Sequence, residues 1–176
     1  MKRDFLGDSY DAVKRMWSEM LTPWAPLFAE PRFFHDDETL RQRFVKLTRI
    51  QMLTDEPQGA YSILNDPDTG IRLPSEQNQA EGLTHIAINT IIDQLRMPGV
   101  RCVITFDQSH YRNHGQSREE QRQAKMRPLV AKGFSCFYYV SHAPFLFAAR
   151  DSETLEELQK ILTSAGIPEE RLEHPR

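Results

Sequence analysis

Ala60-Tyr61-Ser62-Ile63-Leu64-Asn65-Asp66-Pro67-Asp68-Thr69-Gly70 is the stretch whose reading decides the fold. Its apolar part reads as a strand over 60–64 and stops abruptly at two carboxylates held by a proline and followed by a glycine. A second apolar run, Val100-Arg101-Cys102-Val103-Ile104-Thr105-Phe106, ends at Asp107 in the same way. In open α/β sheets, ligands bind beyond the carboxyl ends of the strands. If the two runs are parallel neighbours, Asp66, Asp68 and Asp107 gather on one rim.

The pattern on either side supports such a sheet. Val13, Met16, Trp17, Met20 and Leu21 recur at helical spacing, so a helix is expected over about 9–21, with Asp8 as N-cap and Pro23 as the stop. A poor strand follows over 24–29, weakened by Pro26. Asp36 or Asp37 caps a helix carrying Leu40, Phe44 and Leu47, and 50–53 is ambiguous. A polar loop over 71–82 leads to a helix over 84–97 with Ile88, Ile91, Ile92 and Leu95 inward. Ser117 and Glu120 form a capping box for the next helix, which Pro128 should kink and Gly133 should end. The runs 134–141 and 144–149 are separated only by His142 and Ala143, so they must pair antiparallel. His142 is read as a turn residue. Asp151 or Ser152 caps a last helix, stopped by Gly166 and Pro168.

This alternation predicts a single α/β domain over 1–176. It would be three-layered, with a mainly parallel, Rossmann-like sheet and a C-terminal antiparallel hairpin at one edge. Composition agrees with a globular chain. Of 176 residues, 39% are hydrophobic and 27% charged, and the formal charge of -3 gives no global attraction to nucleic acid or anionic membrane. No apolar stretch approaches the roughly 18 residues of a membrane span. The start is basic but has no apolar core after it, so it does not read as a signal peptide. The two cysteines, Cys102 and Cys136, sit in apolar runs, which fits reduced thiols in a cytoplasmic protein; a disulfide would need adjacent strands.

Asp66, Asp68 and Asp107 are candidate metal ligands, because hard cations such as Mg or Mn take carboxylate oxygens and bridge to phosphate. The same residues also make good Pro-Asp turn chemistry. Asp107 and His110 complete the catalytic candidates, His110 as a proton carrier near neutral pH. Arg112 would clamp a phosphate or carboxylate. Asp8, Asp11 and Lys14 lie in the first turns of the first helix, where a Lys14 amine could meet an anion, while Asp11 points away from the apolar stripe. Between Arg101 and Lys132 seven basic residues face three acidic ones, and Arg118, Arg122 and Lys125 share a helical face. That face is a candidate contact for a phosphate-bearing ligand or nucleic acid, against the commoner reading of a solvated helix surface. The Asp-x-Asp-x-Thr strand end of haloacid dehalogenase phosphatases is excluded, because Thr69 stands one place early and no later Asp-Asp pair follows 134–141.

Two segments carry a resemblance. Asp4-Phe5-Leu6-Gly7-Asp8, then Asp11 and Lys14, and later Asp66-Pro67-Asp68-Thr69-Gly70, resemble a family of uncharacterised bacterial and phage-associated proteins. Its members have an N-terminal Asp-Tyr-Phe-Gly-Asp-like box and a strand ending in Asp-Pro-Asp-Asn-Gly. This chain departs at Leu6 and Thr69. The resemblance implies a site at these boxes and brings no activity. The family is in turn faintly similar to adenine-type methyltransferases, whose catalytic strand ends in Asp-Pro-Pro-Tyr; here Asp66-Pro67 matches half of that motif. The glycine-rich cofactor turn is replaced by Phe28-Ala29-Glu30-Pro31. The chain is therefore expected to be a metal-dependent enzyme acting on a phosphoester. The alternatives are an atypical S-adenosylmethionine methyltransferase-like protein and a non-catalytic ligand- or partner-binding module.

Overall fold

The computed structural model describes residues 6–34, 37–55, 57–73, 84–109 and 115–176. Helix α1 (Ser9–Leu21) starts at the expected N-cap, Asp8, whose carboxylate accepts the amides of Tyr10 and Asp11. Strand β1 is only Leu27–Ala29, shorter than expected, because Pro23 and Pro26 flank a turn in which the Trp24 and Ala25 amides return to the Leu21 carbonyl. A 3-10 turn over Pro31–Phe34 leads to α2 (Glu38–Thr48), capped by Asp37. The ambiguous piece becomes the two-residue strand β2 (Gln51–Met52), and β3 (Tyr61–Asn65) follows.

The segment expected to be loop and helix divides differently. β4 (Gly70–Ile71) and β5 (His85–Ile86) form a small parallel ribbon, so α3 (Ile88–Arg96) starts four residues later than its periodicity suggests. β6 (Val100–Phe106) is the longest strand, and α4 (Arg118–Ala131) carries the expected capping box and continues through Pro128. β7 (Ser135–Tyr139) and β8 (Phe145–Ala149) form the antiparallel hairpin, α5 (Ser152–Ser164) follows, and a short strand β9 (Leu172–Glu173) closes the chain.

Seven strands form one mixed sheet in the order β2-β1-β3-β6-β8-β7-β9. β2, β1, β3 and β6 are mutually parallel; β8 runs antiparallel to β6, β7 to β8, and β9 to β7. The hairpin is thus not the edge that its position in the chain suggested. Its second strand inserts beside β6, and the unanticipated β9 takes the edge. Register places Asn65 beside Thr105, and Thr105 beside Leu146, so these share a face with Tyr138. The opposite face carries Phe106, Phe145 and Phe147, where Trp17 of α1 makes edge contacts with Tyr139, Phe145 and Phe147 at ring-centroid distances of 5.0, 6.0 and 5.3 Å. Helices α1 and α5 pack together, as do α3 and α4, and Trp17, Phe137 and Phe147 are fully buried. No helix of the described residues is long and apolar enough to cross a membrane.

Register also decides the cysteines. Cys102 pairs with Ala149 and Cys136 with Ala148, so β8 lies between them and their side chains point to opposite faces. Burial pushes both thiols up to about 12. A thiol reagent at pH 8 is therefore expected to label neither cysteine in the native state and both in urea, because the thiolate is the reactive form. Rapid native labelling would contradict this placement.

Candidate functional site

The carboxyl ends of β3 and β6 are closed by two buried lysine–aspartate clusters. In the first, Lys14 Nζ on α1 lies 2.7 Å from Asp66 Oδ2 and 3.0 Å from Asp11 Oδ1, with all three residues buried. The second Asp11 oxygen accepts the Gly7 amide at 2.7 Å. The Phe44 and Phe106 rings wall the ammonium at 5.7 and 5.8 Å. Burial alone would lower the Lys14 value, but the charges of Asp66 and Asp11 outweigh it and hold it above its ordinary value. Burial pushes the Asp66 carboxyl above the usual carboxylate range, against the pull of Lys14. The ion cluster thus fastens the start of α1 to the end of β3.

The second cluster centres on Asp107. Its Oδ2 accepts Lys125 Nζ and the Tyr138 hydroxyl, both at 2.7 Å. Its Oδ1 accepts the Ile71 amide at 2.9 Å, Lys125 Nζ at 3.1 Å, the Ser109 amide at 3.3 Å and the Ser109 hydroxyl. A carboxylate offers about four lone-pair sites, so Asp107 is saturated. Burial, then the Asp107 charge, raises the Tyr138 phenol well above its ordinary value. Gly70 makes the cluster compact. Its φ is +143°, and a Cβ there would run into the Asp107 carboxylate and lie 2.8 Å from the Asp107 Cα.

Beside this cluster opens a cleft of about 470 Å³, between the ends of β6 and β7 and the first turns of α4. Arg118, Arg122, Lys125, Asp107, Gln108 and His142 are among its lining residues. Three cations thus face one carboxylate. Lys125 is held by Asp107, and Arg122 by Glu173, with its Nε at 2.7 Å. Arg118 is exposed and has no hydrogen-bond or ion-pair partner among the described residues. The N-terminus of α4 itself is closed, since Glu120 accepts the Ser117 amide at 2.7 Å and Ser117 Oγ accepts the Glu120 amide at 3.1 Å. Those bonds hold the Glu120 carboxyl below its usual range.

The expected site residues therefore separate. Asp66 and Asp107 sit at strand ends as expected, but each faces an ammonium instead of a shared metal. Among the described residues no group of three His, Cys, Asp or Glu could hold a metal ion, so Asp66, Asp68 and Asp107 do not form the expected metal rim. Asp68 is half-buried. Asp8 serves as a helix cap, and Asp11, expected to point outward, is buried on Lys14. Lys14 is engaged by carboxylates and is not open to an anion. His110 and Arg112 lie outside the described residues. Of Arg118, Arg122 and Lys125 on the basic α4 face, Arg118 alone lacks a counter-ion among the described residues. Where a methyltransferase-like fold would place its cofactor, the chain enters the 3-10 turn with Phe33 and Phe34 fully buried, and Glu30 Oε2 accepts from Gln94 at 3.3 Å. Gln94 and Asn65 also bond reciprocally at 2.7 and 2.9 Å. Tyr138, Ser109, Gln94 and the cleft position of His142 were not anticipated. For Lys125 the usable signal was its i, i+3 and i+7 spacing from Arg122 and Arg118.

Removing one partner of a buried ion cluster leaves an uncompensated charge. Lys14→Met is expected to lower unfolding free energy by about 3–5 kcal/mol in a urea titration. Asp66→Asn should cost less, about 1–2 kcal/mol, because Lys14 keeps Asp11. Negligible losses in both variants would show that the cluster does not hold the fold.

Alkaline stability follows from the raised groups. Lys14, Tyr138, Cys102 and Cys136 all keep their protons to higher pH in the native state than in the unfolded chain, whose ordinary values are 10.5, 10.0, 9.0 and 9.0. The native state then binds more protons, so stability falls as pH rises, by at most about 1.4 kcal/mol per pH unit for each group. The loss should begin near pH 9 and steepen above 10.5. Lys14→Met should flatten the upper part. A stability flat from pH 8 to 11 would contradict the burial of these groups.

Compared with protein-family models, curated proteins and solved structures, the chain matches none.

Proposed function

We propose that this chain is a binding domain for a phosphate-bearing ligand, seated in the cleft between β6, β7 and α4. The observation that carries the reading is Arg118: an exposed guanidinium with no partner among the described residues, on a cleft whose one carboxylate is already neutralised by Lys125. Guanidinium offers planar, paired donors that match phosphate oxygens. Arg122 and Lys125 line the same cleft but are paired with Glu173 and Asp107. Among the described residues the uncompensated charge on the cleft is therefore that of Arg118, in a chain of net charge -3.

The cleft lies away from the usual ligand position of an open α/β sheet. We read the parallel half as Rossmann-like, since its strand order places β1 between β2 and β3 with β6 beyond. The usual ligand crevice of such a sheet lies where the strand order reverses, between β1 and β3. Here buried Asn65, Gln94, Asp66 and Lys14 occupy that place. The open cavity lies one strand further on, past β6. The reading is one of binding. The cleft's carboxylate already accepts a full set of donors and its lysine is bonded to that carboxylate and to Ser109, so both are engaged within the protein.

Isothermal titration with inorganic phosphate and pyrophosphate tests it. Wild-type protein is expected to bind pyrophosphate more tightly than phosphate, with affinity falling as salt rises. Arg118→Ala should weaken binding by at least about tenfold, the scale of one charge-assisted contact. It should leave the melting temperature unchanged, because the side chain is exposed. No binding of either anion, or full binding by the variant, would overturn the proposal.

A further inference from the structure

A line of aromatic rings runs from the core to the wall of this cleft and ends on an exposed one. Phe145 packs on Phe106 at a centroid distance of 5.4 Å, Phe106 on Tyr10 at 5.4 Å, and Tyr10 stacks on His142 at 5.9 Å with 28° between planes. His142 is exposed and lines the cleft with Arg118. Its other face meets no ring among the described residues. The platform is fixed before any ligand arrives. Ser141 Oγ accepts the Ala143 amide at 3.0 Å and donates to the Ala143 carbonyl at 2.9 Å, which sets the turn that carries His142. The Gln108 amide donates to the Tyr10 hydroxyl, which holds the second ring in place.

A flat exposed ring, backed by another ring and lining the same cleft as a guanidinium without a partner among the described residues, matches a flat base joined to a phosphate. Stacking on such a ring tolerates any base, because every base has a π-face. A volume of about 470 Å³ falls within the range of small-molecule pockets. Resting on the phosphate reading above, we infer that the ligand is a nucleotide, with its base stacked on His142 and its phosphate at Arg118. Gln108 and Gln121 also line the cleft, their amides engaged by the Tyr10 hydroxyl and the Gln116 carbonyl. The same chemistry is offered by a free mononucleotide and by one unit of a single strand.

The test compares AMP and CMP, ribose 5-phosphate and a single-stranded tetranucleotide by isothermal titration on wild type, His142→Ala, His142→Phe and Arg118→Ala. The inference expects both mononucleotides to bind at least about fivefold more tightly than ribose 5-phosphate, the low end of base stacking on an aromatic ring. His142→Ala should erase that difference and leave ribose 5-phosphate binding unchanged. His142→Phe should keep it, since a flat ring is what stacks on the base. Arg118→Ala should weaken all of them. A tetranucleotide that binds more tightly than the mononucleotides assigns the site to a single strand; equal binding assigns it to the free nucleotide. Ribose 5-phosphate binding as tightly as AMP would overturn the base assignment and leave the phosphate reading standing. If no phosphate compound binds, both fail together.

Discussion

The structure depends on how two carboxylates at the ends of adjacent parallel strands are neutralised. Asp66 and Asp107 lie at the mouths of β3 and β6 with almost no solvent contact. An isolated buried carboxylate is so unfavourable that it must be paired or protonated. Lysines from two different helices meet the need. Lys14 brings α1 onto the end of β3, and Lys125 brings α4 onto the end of β6. Each pair joins a helix to a strand end distant in sequence, so the charges act as fasteners between the layers. Replacing such ion pairs by matched apolar groups can be neutral for stability. Their value here is positional, since they set where the first turns of α1 and α4 sit around the carboxyl edge.

That positioning shapes the cleft. Asp107 takes donors from β4, from the loop after β6, from α4 and from β7, so four parts of the chain converge on one carboxylate. Gly70 lets β4 approach closely enough to join them. Once Asp107 is saturated, the remaining charge on the α4 face is positive and belongs to Arg118. On the opposite side, the aromatic line through Phe106 and Tyr10 holds His142 at the surface. A cation and a flat ring are thus set on one cavity by two separate rigid supports, the condition under which a site binds with little reorganisation.

Much of the fold was legible in the sequence because local rules and the global arrangement agree. The apolar periods of α1 and α3, the caps at Asp8 and Ser117 and the strand ending at Phe106 follow from residue spacing alone, whereas Asp37 and Asp151 were each one of two candidate caps and β3 runs one residue past the expected Leu64. The place of the hairpin did not. β8 inserts beside β6 because its Phe145 and Phe147 complete the face that Trp17 covers, a tertiary fit with no local signature. β9 escaped notice because two residues carry no period. The site was half legible. Strand-end position directed attention to Asp66 and Asp107, but residue type does not say whether a carboxylate will face a metal or an ammonium. That choice is made by residues 52 and 18 positions away, and only folding brings them together. His142 read as a turn residue and is one; its second role depends on Tyr10, at the other end of the chain.

A crystal structure from crystals grown with AMP and Mn2+, with anomalous scattering to locate the metal, tests the central claim most directly. The account predicts the phosphate beside Arg118, the base on His142, and both lysine–aspartate pairs intact with no Mn2+ on Asp66 or Asp107. Mn2+ bonded to either carboxylate, with Lys14 or Lys125 displaced, would contradict it and return the carboxyl edge to metal chemistry.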